Sequence, residues 1–219
     1  MGKKVRNNSL SLAMFLLFLV SMGGQILAGH RVFNEDRKEH DRAPVGIGAY
    51  LTSSHFVEAT FENWESEFLQ MAAFILLTAW LIQKGSSESK DPNDKKREKQ
   101  DKRSARKPDS PWPVHRGGLA LKLYEHSLSG ALMFLFLFSF AMHVVGGVRQ
   151  HNREAIEHGE KAITAVQYLG TSQLWFESFQ NWQSEFFSIW ALLLLTIVLR
   201  EKGSPQSKPV TASHEETGE

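Results

Sequence analysis

Two short stretches hold the side chains of this chain that could do chemistry at a membrane boundary. Asn63, Glu67 and Gln70 are spaced i, i+4, i+7, and so are Asn181, Glu185 and Ser188. On a helix that spacing puts each trio on one face. Trp64 and Trp182 lie one residue along, where indole rings anchor a helix at headgroup level. A carboxylate so placed can hold a cation, pass a proton or pair with a guanidinium. Two other apolar stretches offer facing polar groups, Gln25 in one and His143 in the other, and each ends at an arginine, Arg31 and Arg149. An Arg31 to Glu67 and an Arg149 to Glu185 pairing are both expected.

The sharper reading makes Glu67 and Glu185 an acidic pair, flanked by Asn63, Asn181 and His143, that binds a cation or relays protons. The plainer one makes them interfacial helix starts, with Asn and Glu capping and pairing beside the Trp anchors. The plainer reading is preferred, because acids deep in the bilayer are functional by default and interfacial acids are not. Glu58, Glu62 and Glu65 form a further acidic face, but the aligned positions downstream are Phe176, Gln180 and Gln183. A solvated face is expected there in preference to a metal site. His40 and His158 occupy matching loop positions and are expected to be structural. His143 aligns with Gln25, which leaves no second intramembrane histidine for a bis-histidine haem. The chain has no Cys, excluding disulfides, thiolate metal sites and cysteine nucleophiles. It also lacks a nucleotide-binding glycine loop, HExxH and GxSxG. Neither an enzyme nor a resident metal or cofactor is expected.

What must position these residues is a repeat. Asn63-Trp64-x-Ser66-Glu67-Phe68 returns as Asn181-Trp182-x-Ser184-Glu185-Phe186, an offset of 118 that aligns Ser9 to Lys90 with Ser127 to Lys208 without a gap. Each copy contains two hydrophobic runs. Leu10 to Leu27 and Ser127 to Val148 are free of Lys, Arg, Asp and Glu and long enough to cross a bilayer. Phe68 to Gln83 and Phe186 to Leu199 are shorter and must begin upstream, where Ser53-Ser54 and Thr171-Ser172 could supply N-caps. The glycines of the first helices, Gly24 and Gly147 among them, are expected to let helices approach closely.

The expected fold is an all-α membrane protein with four transmembrane helices, arranged as two tandem parallel hairpin repeats joined by a charged disordered linker. Residues 1–90 form the first repeat, 91–122 the linker, 123–208 the second repeat and 209–219 a disordered tail. Lys3, Lys4, Arg6, the basic connector, Arg200, Lys202 and Lys208 place both termini in the cytoplasm by the positive-inside rule. A unit with an even number of spans inserts its second copy in the same orientation, about a pseudo-twofold axis along the membrane normal. The connector should contact anionic headgroups rather than nucleic acid, since its bases are diluted with acids. The arrangement is compatible with a homo-oligomer.

The chain resembles a family of bacterial membrane proteins known as a domain of unknown function. The resemblance rests on Ser9-Leu10-Ser11, on Ala49-Tyr50-Leu51-Thr52-Ser53, on Gly85-Ser86-Ser87-Glu88-Ser89-Lys90-Asp91-Pro92 and most specifically on Phe61-Glu62-Asn63-Trp64-Glu65-Ser66-Glu67-Phe68-Leu69-Gln70. It implies a bacterial inner-membrane setting and supplies no catalytic residue. The role preferred on this reading is a structural or interaction component of that membrane, with a small oligomeric channel or transporter for a cation or protons as the alternative.

Overall fold

A computed structural model describes residues 6–91 and 107–218. Lys3 and Lys4, and the basic run of the connector from Lys95 to Arg106, lie outside the described residues. Those described are helical with no strand: α1 (Ser9–Glu39), α2 (Ile47–Leu51), α3 (Ser54–Trp80), α4 (Trp112–Arg116), α5 (Gly118–Glu125), α6 (Ser127–Glu157), α7 (Ala165–Tyr168) and α8 (Ser172–Val198). Helices α1 and α6 have 31 residues each and α3 and α8 have 27. Each pair starts 118 positions apart, as do α2 and α7. By length and composition α1 and α6 can cross a membrane.

The long first helices continue well past their apolar runs and stop by the same device. After α1, Asp41 adopts the left-handed region at φ 53, and after α6 Gly159 does so at φ 76. The next N–H then reaches back to close the end, Arg42 to Arg37 O and Glu160 to Ala155 O, both at 2.7 Å. These are the reversed bonds of a Schellman stop, and glycine is the residue that takes them without a Cβ penalty. His40 and His158 complete the closure: each Nδ1 meets the carbonyl four residues back, Asp36 O at 2.9 Å and Glu154 O at 2.8 Å. The loop that follows is pinned by an amide. Asn34 donates to Val45 O at 3.1 Å and accepts from Val45 N at 2.8 Å, and Asn152 does the same with Ile163 at 2.8 and 2.7 Å.

Helix α3 is capped as its sequence suggests, with Ser53 Oγ accepting from Phe56 N at 3.2 Å. Thr171 instead donates its hydroxyl to Tyr168 O at 2.7 Å. Two stretches expected to be disordered have structure. The end of the 91–122 linker forms α4, with Pro113 in its first turn where a missing N–H is harmless, and the start of α5. The tail beyond residue 208 folds around a cation, since the buried Lys208 ammonium donates to Ser213 O, His214 O and Glu216 O at 3.1, 3.2 and 3.0 Å. Three carbonyls replace its water, so the tail is ordered by the lysine's need for acceptors.

The chain divides into two compact units, one of Met1–Phe61 with Met142–Thr171 and one of Glu62–Ala141 with Ser172–Glu219.

Candidate functional site

The eight polar residues singled out from the sequence fall four to a unit: Gln25, Arg31, His143 and Arg149 in the first, and Asn63, Glu67, Asn181 and Glu185 in the second.

In the first unit, the loop device above delivers Tyr50 into an aromatic cluster with His30, Phe33, His55 and Phe56, ring centroids 5.4 to 5.9 Å apart. Tyr50 is buried against Gly29, where a methyl group would overlap its hydroxyl, and Tyr168 sits likewise on Gly147. Arg153 lies over Phe33 at 5.7 Å and donates to Ser54 Oγ at 3.1 Å, while Ser54 donates to Gln150 Oε1 at 3.0 Å. Arg42 pairs with Glu157 at 2.5 Å. Among the described residues of this unit the ion pairs belong to Arg42 and His40, whereas Arg31 and Arg149 are exposed and make none within it. Gln25 donates to Thr60 Oγ1 at 3.2 Å.

His143 is fully buried, and a ring nitrogen lies within 4.8 Å of a Glu58 carboxylate oxygen. Within this unit that is two protein ligands, short of the three or four of an established zinc site. The close approach has a cause one turn on. A Cβ on Gly146 would stand 2.7 Å from Glu58 N and 2.9 Å from its Cα, so the helices cross here backbone to backbone. Gly146 fits the glycine reading, Gly147 instead makes room for the Tyr168 ring, and Gly24 corrects the reading, having nothing within 4 Å of a would-be Cβ.

His55 gives this unit a pH dependence. Burial holds its imidazole below the usual histidine value, with Asp36 opposing and Arg153 reinforcing the shift. The unfolded chain then binds the proton more readily than the folded one, so the stability His55 contributes is complete above about pH 6.5 and is lost as pH falls below it. Thermal unfolding in detergent should show a midpoint that falls as the pH drops below about 6.5. The slope should flatten in His55→Gln, the residue found at the aligned Gln173. An unchanged slope in that variant would assign the acid sensitivity elsewhere.

The second unit overturns the expectation of a solvated acidic face. Glu65 has 0% exposure, the carboxylate most withdrawn from solvent in the described chain. Its Oε1 accepts from Ser178 Oγ at 3.0 Å and from Trp182 Nε1 at 3.2 Å. One turn earlier Glu62 Oε1 accepts from Asn181 Nδ2 at 2.5 Å. Helices α3 and α8 are therefore joined by two carboxylates from one side and by a hydroxyl, an amide and an indole from the other. Trp182, expected from the sequence to be an interface anchor, is here a hydrogen-bond donor, and an indole N–H so placed needs an acceptor. By contrast Asn63 and Glu67 are exposed and Glu185 is half-exposed. The signal that could have found Glu65 was its spacing: Glu62 and Glu65 share a helical face distinct from that of Asn63 and Glu67.

Deeper in the same unit, Gln70, Phe74, Thr78, Ile189 and Leu193 border a cavity of about 250 Å³ that is mostly apolar. Near the helix ends, Ser86 and Thr196 share a buried hydroxyl bond at 2.9 Å. A Cβ on Gly85, itself at φ 86, would meet His214 O at 2.6 Å. Ser139 Oγ is buried without a partner among the described residues.

The model of a family described as a domain of unknown function, DUF6766, matches residues 1–219, and the chain belongs to that family. Neither the curated proteins nor the solved structures contain a match to it.

Proposed function

We propose that the protein is a non-enzymatic, four-span component of the bacterial cytoplasmic membrane, built as two tandem two-helix repeats, with both termini inside and a structural or interaction role. The observation that carries this reading is the engagement of Glu65 by Ser178 and Trp182 and of Glu62 by Asn181. Carboxylates committed to helix contacts hold a bundle together, and such groups are stable in a low-dielectric setting only when so paired. The matched lengths of α1 and α6 and of α3 and α8 support the tandem-repeat arrangement. Helices α3 and α8, about 40 Å long at the helical rise, have the length to complete each hairpin. Trp64 and Trp182 then stand at the outer headgroup level.

A channel or transporter for a cation or protons is the second reading, favoured by the depth at which Glu65 is buried. Two measurements separate the readings and test the topology. Protein reconstituted in liposomes should carry no proton or monovalent-cation flux above empty vesicles. Flux that vanishes in Glu65→Gln, Glu67→Gln or Glu185→Gln while folding persists would establish transport. Single cysteines at Asp36, Lys99, Glu160 and Ser213, in a chain without native Cys, should label from outside only at Asp36 and Glu160. External labelling of Lys99 sinks the four-span arrangement.

A further inference from the structure

Between the connector and the long helix α6 lies a short folded segment that turns apolar side chains outward. Two successive glycines in the left-handed region, Gly117 at φ 67 and Gly118 at φ 59, make the corner between α4 and α5, and these two helices pack on each other. Two of the three leucines of α5 face out. Leu119 and Leu123, spaced i, i+4, share a helical face and are 74% and 66% exposed, whereas Leu121, on the opposite side, is 6% exposed. Lys122 stands beside the outer face, three residues on from Leu119, and Glu125 lies on the far side; both are exposed. In α4 Trp112 is exposed too, and the Arg116 guanidinium rests 5.1 Å above its ring. Among the described residues neither Arg116 nor Lys122 is in an ion pair.

Resting on the membrane reading above, we infer that α4 and α5 form a docking element that lies in the plane of the inner leaflet, with Leu119 and Leu123 inserted among the acyl chains and Arg116 and Lys122 on anionic lipid headgroups. Position fixes the occupant. Only His126 separates α5 from α6, whose apolar stretch has the length and composition to cross a membrane, so α5 stands where that span meets the headgroups. His126, at φ −116 and ψ 14, also ends α5, so the element is a separate helix and not an extension of the span. The side chains match that depth. An amphipathic helix at the interface buries its apolar face at the headgroup and acyl boundary, a lysine at its edge reaches back to the headgroups, and an exposed Trp settles at the same level. The negative potential of a cytoplasmic leaflet favours the two unpaired cations. The acids of the segment do not oppose it, since Asp109 precedes α4 and Glu125 lies on the far side of α5. This differs from the attraction expected of the connector's charges, because apolar insertion carries it and the cations select the lipid.

The test uses the full-length chain, which has no native Cys, with single cysteines at Leu119, Leu123, Glu125 or Phe134, each carrying an environment-sensitive fluorophore. All four positions are exposed, and Phe134 lies within the apolar stretch of α6. In vesicles of mixed neutral and anionic phospholipid, a quencher attached to the acyl chains should dim the labels at Leu119→Cys and Leu123→Cys about twofold more than the label at Glu125→Cys. Arg116→Ser combined with Lys122→Ser should cut that excess about twofold in the anionic vesicles and leave it unchanged in purely neutral ones. The Phe134→Cys label reports on the reading beneath the proposal. If it escapes the lipid quencher, the membrane reading falls and the docking with it. If it is quenched while the labels at Leu119→Cys and Leu123→Cys match that at Glu125→Cys, the docking alone is overturned. Should those two labels then resist iodide in the water phase as well, a protein surface covers the leucines. Excess quenching that ignores both Arg116→Ser and Lys122→Ser would overturn the part assigned to anionic headgroups.

Discussion

Glu65→Ala should lower the stability of the protein in detergent by about 2–4 kcal/mol, the largest effect expected of any acidic residue among those described. The reason lies in what is left behind. Glu65 is wholly buried, and its Oε1 is the acceptor for both Ser178 Oγ and Trp182 Nε1. Truncation strands both donors, each costing about 1–3 kcal/mol when desolvated, although polar pairs between membrane helices tend to the lower end. Glu65→Gln keeps an acceptor oxygen of the same reach and should cost only about 1 kcal/mol. Combining Glu65→Gln with Trp182→Phe should cost less than the sum of the singles, since both alter one hydrogen bond. Equal midpoints for wild type, Gln and Ala would show that the contact contributes nothing, and would remove the main support for a structural role. Glu67→Ala, on an exposed side chain, should change stability by no more than about 0.5 kcal/mol.

This contrast between Glu65 and Glu67 marks how much of the site was legible in the sequence. Composition and spacing disclosed that the chain is helical and where its apolar runs lie, because the absence of charge from such a run is a property of the chain alone, but not how far α1 and α6 continue past those runs. They did not disclose which acid points inward. Equivalence between copies favoured Glu67 and Glu185, yet burial went to Glu65, whose aligned partner is Gln183. Equivalence between copies identifies what both share, and Glu65 is not shared, although the Trp182 it meets is. The loop lock by Asn34 and Asn152 was also hidden, since a side-chain amide closing on a backbone eleven residues away has no periodic signature. Lys208 escaped for the opposite reason. A lysine beside a polar tail looks solvated, and only the folded carbonyls around it show that it organises the tail.

The glycines carry the second large effect. Gly146→Leu should destabilise the protein by about 3 kcal/mol or more, and Gly146→Ala by about 1–2 kcal/mol, measured as loss of the folded, monodisperse species on heating in detergent. The added Cβ would sit 2.7 Å from Glu58 N, 2.9 Å from its Cα and 3.0 Å from its Cβ. A flexible side-chain tip could swing aside, but backbone atoms in the first turns of α3 cannot move without carrying the helix with them. Even alanine therefore forces the two helices apart, and a larger residue adds volume that the gap cannot accept. The loss of dispersion contact spreads along the crossing, because closely packed helices transmit a local displacement to their neighbouring contacts. Gly24→Leu provides the comparison on a matched chemical change: its Cβ meets nothing within 4 Å, and leucine is the better helix former, so stability should hold or rise slightly. If both leucine variants lose stability equally, helix-interior glycine is required for some reason other than this crossing. If neither does, the backbone contact between Gly146 and Glu58 is not a packing determinant. Loss confined to Gly146 would establish that the repeats meet at one glycine of the second copy, for which the first copy, with Ala28 in that place, has no counterpart.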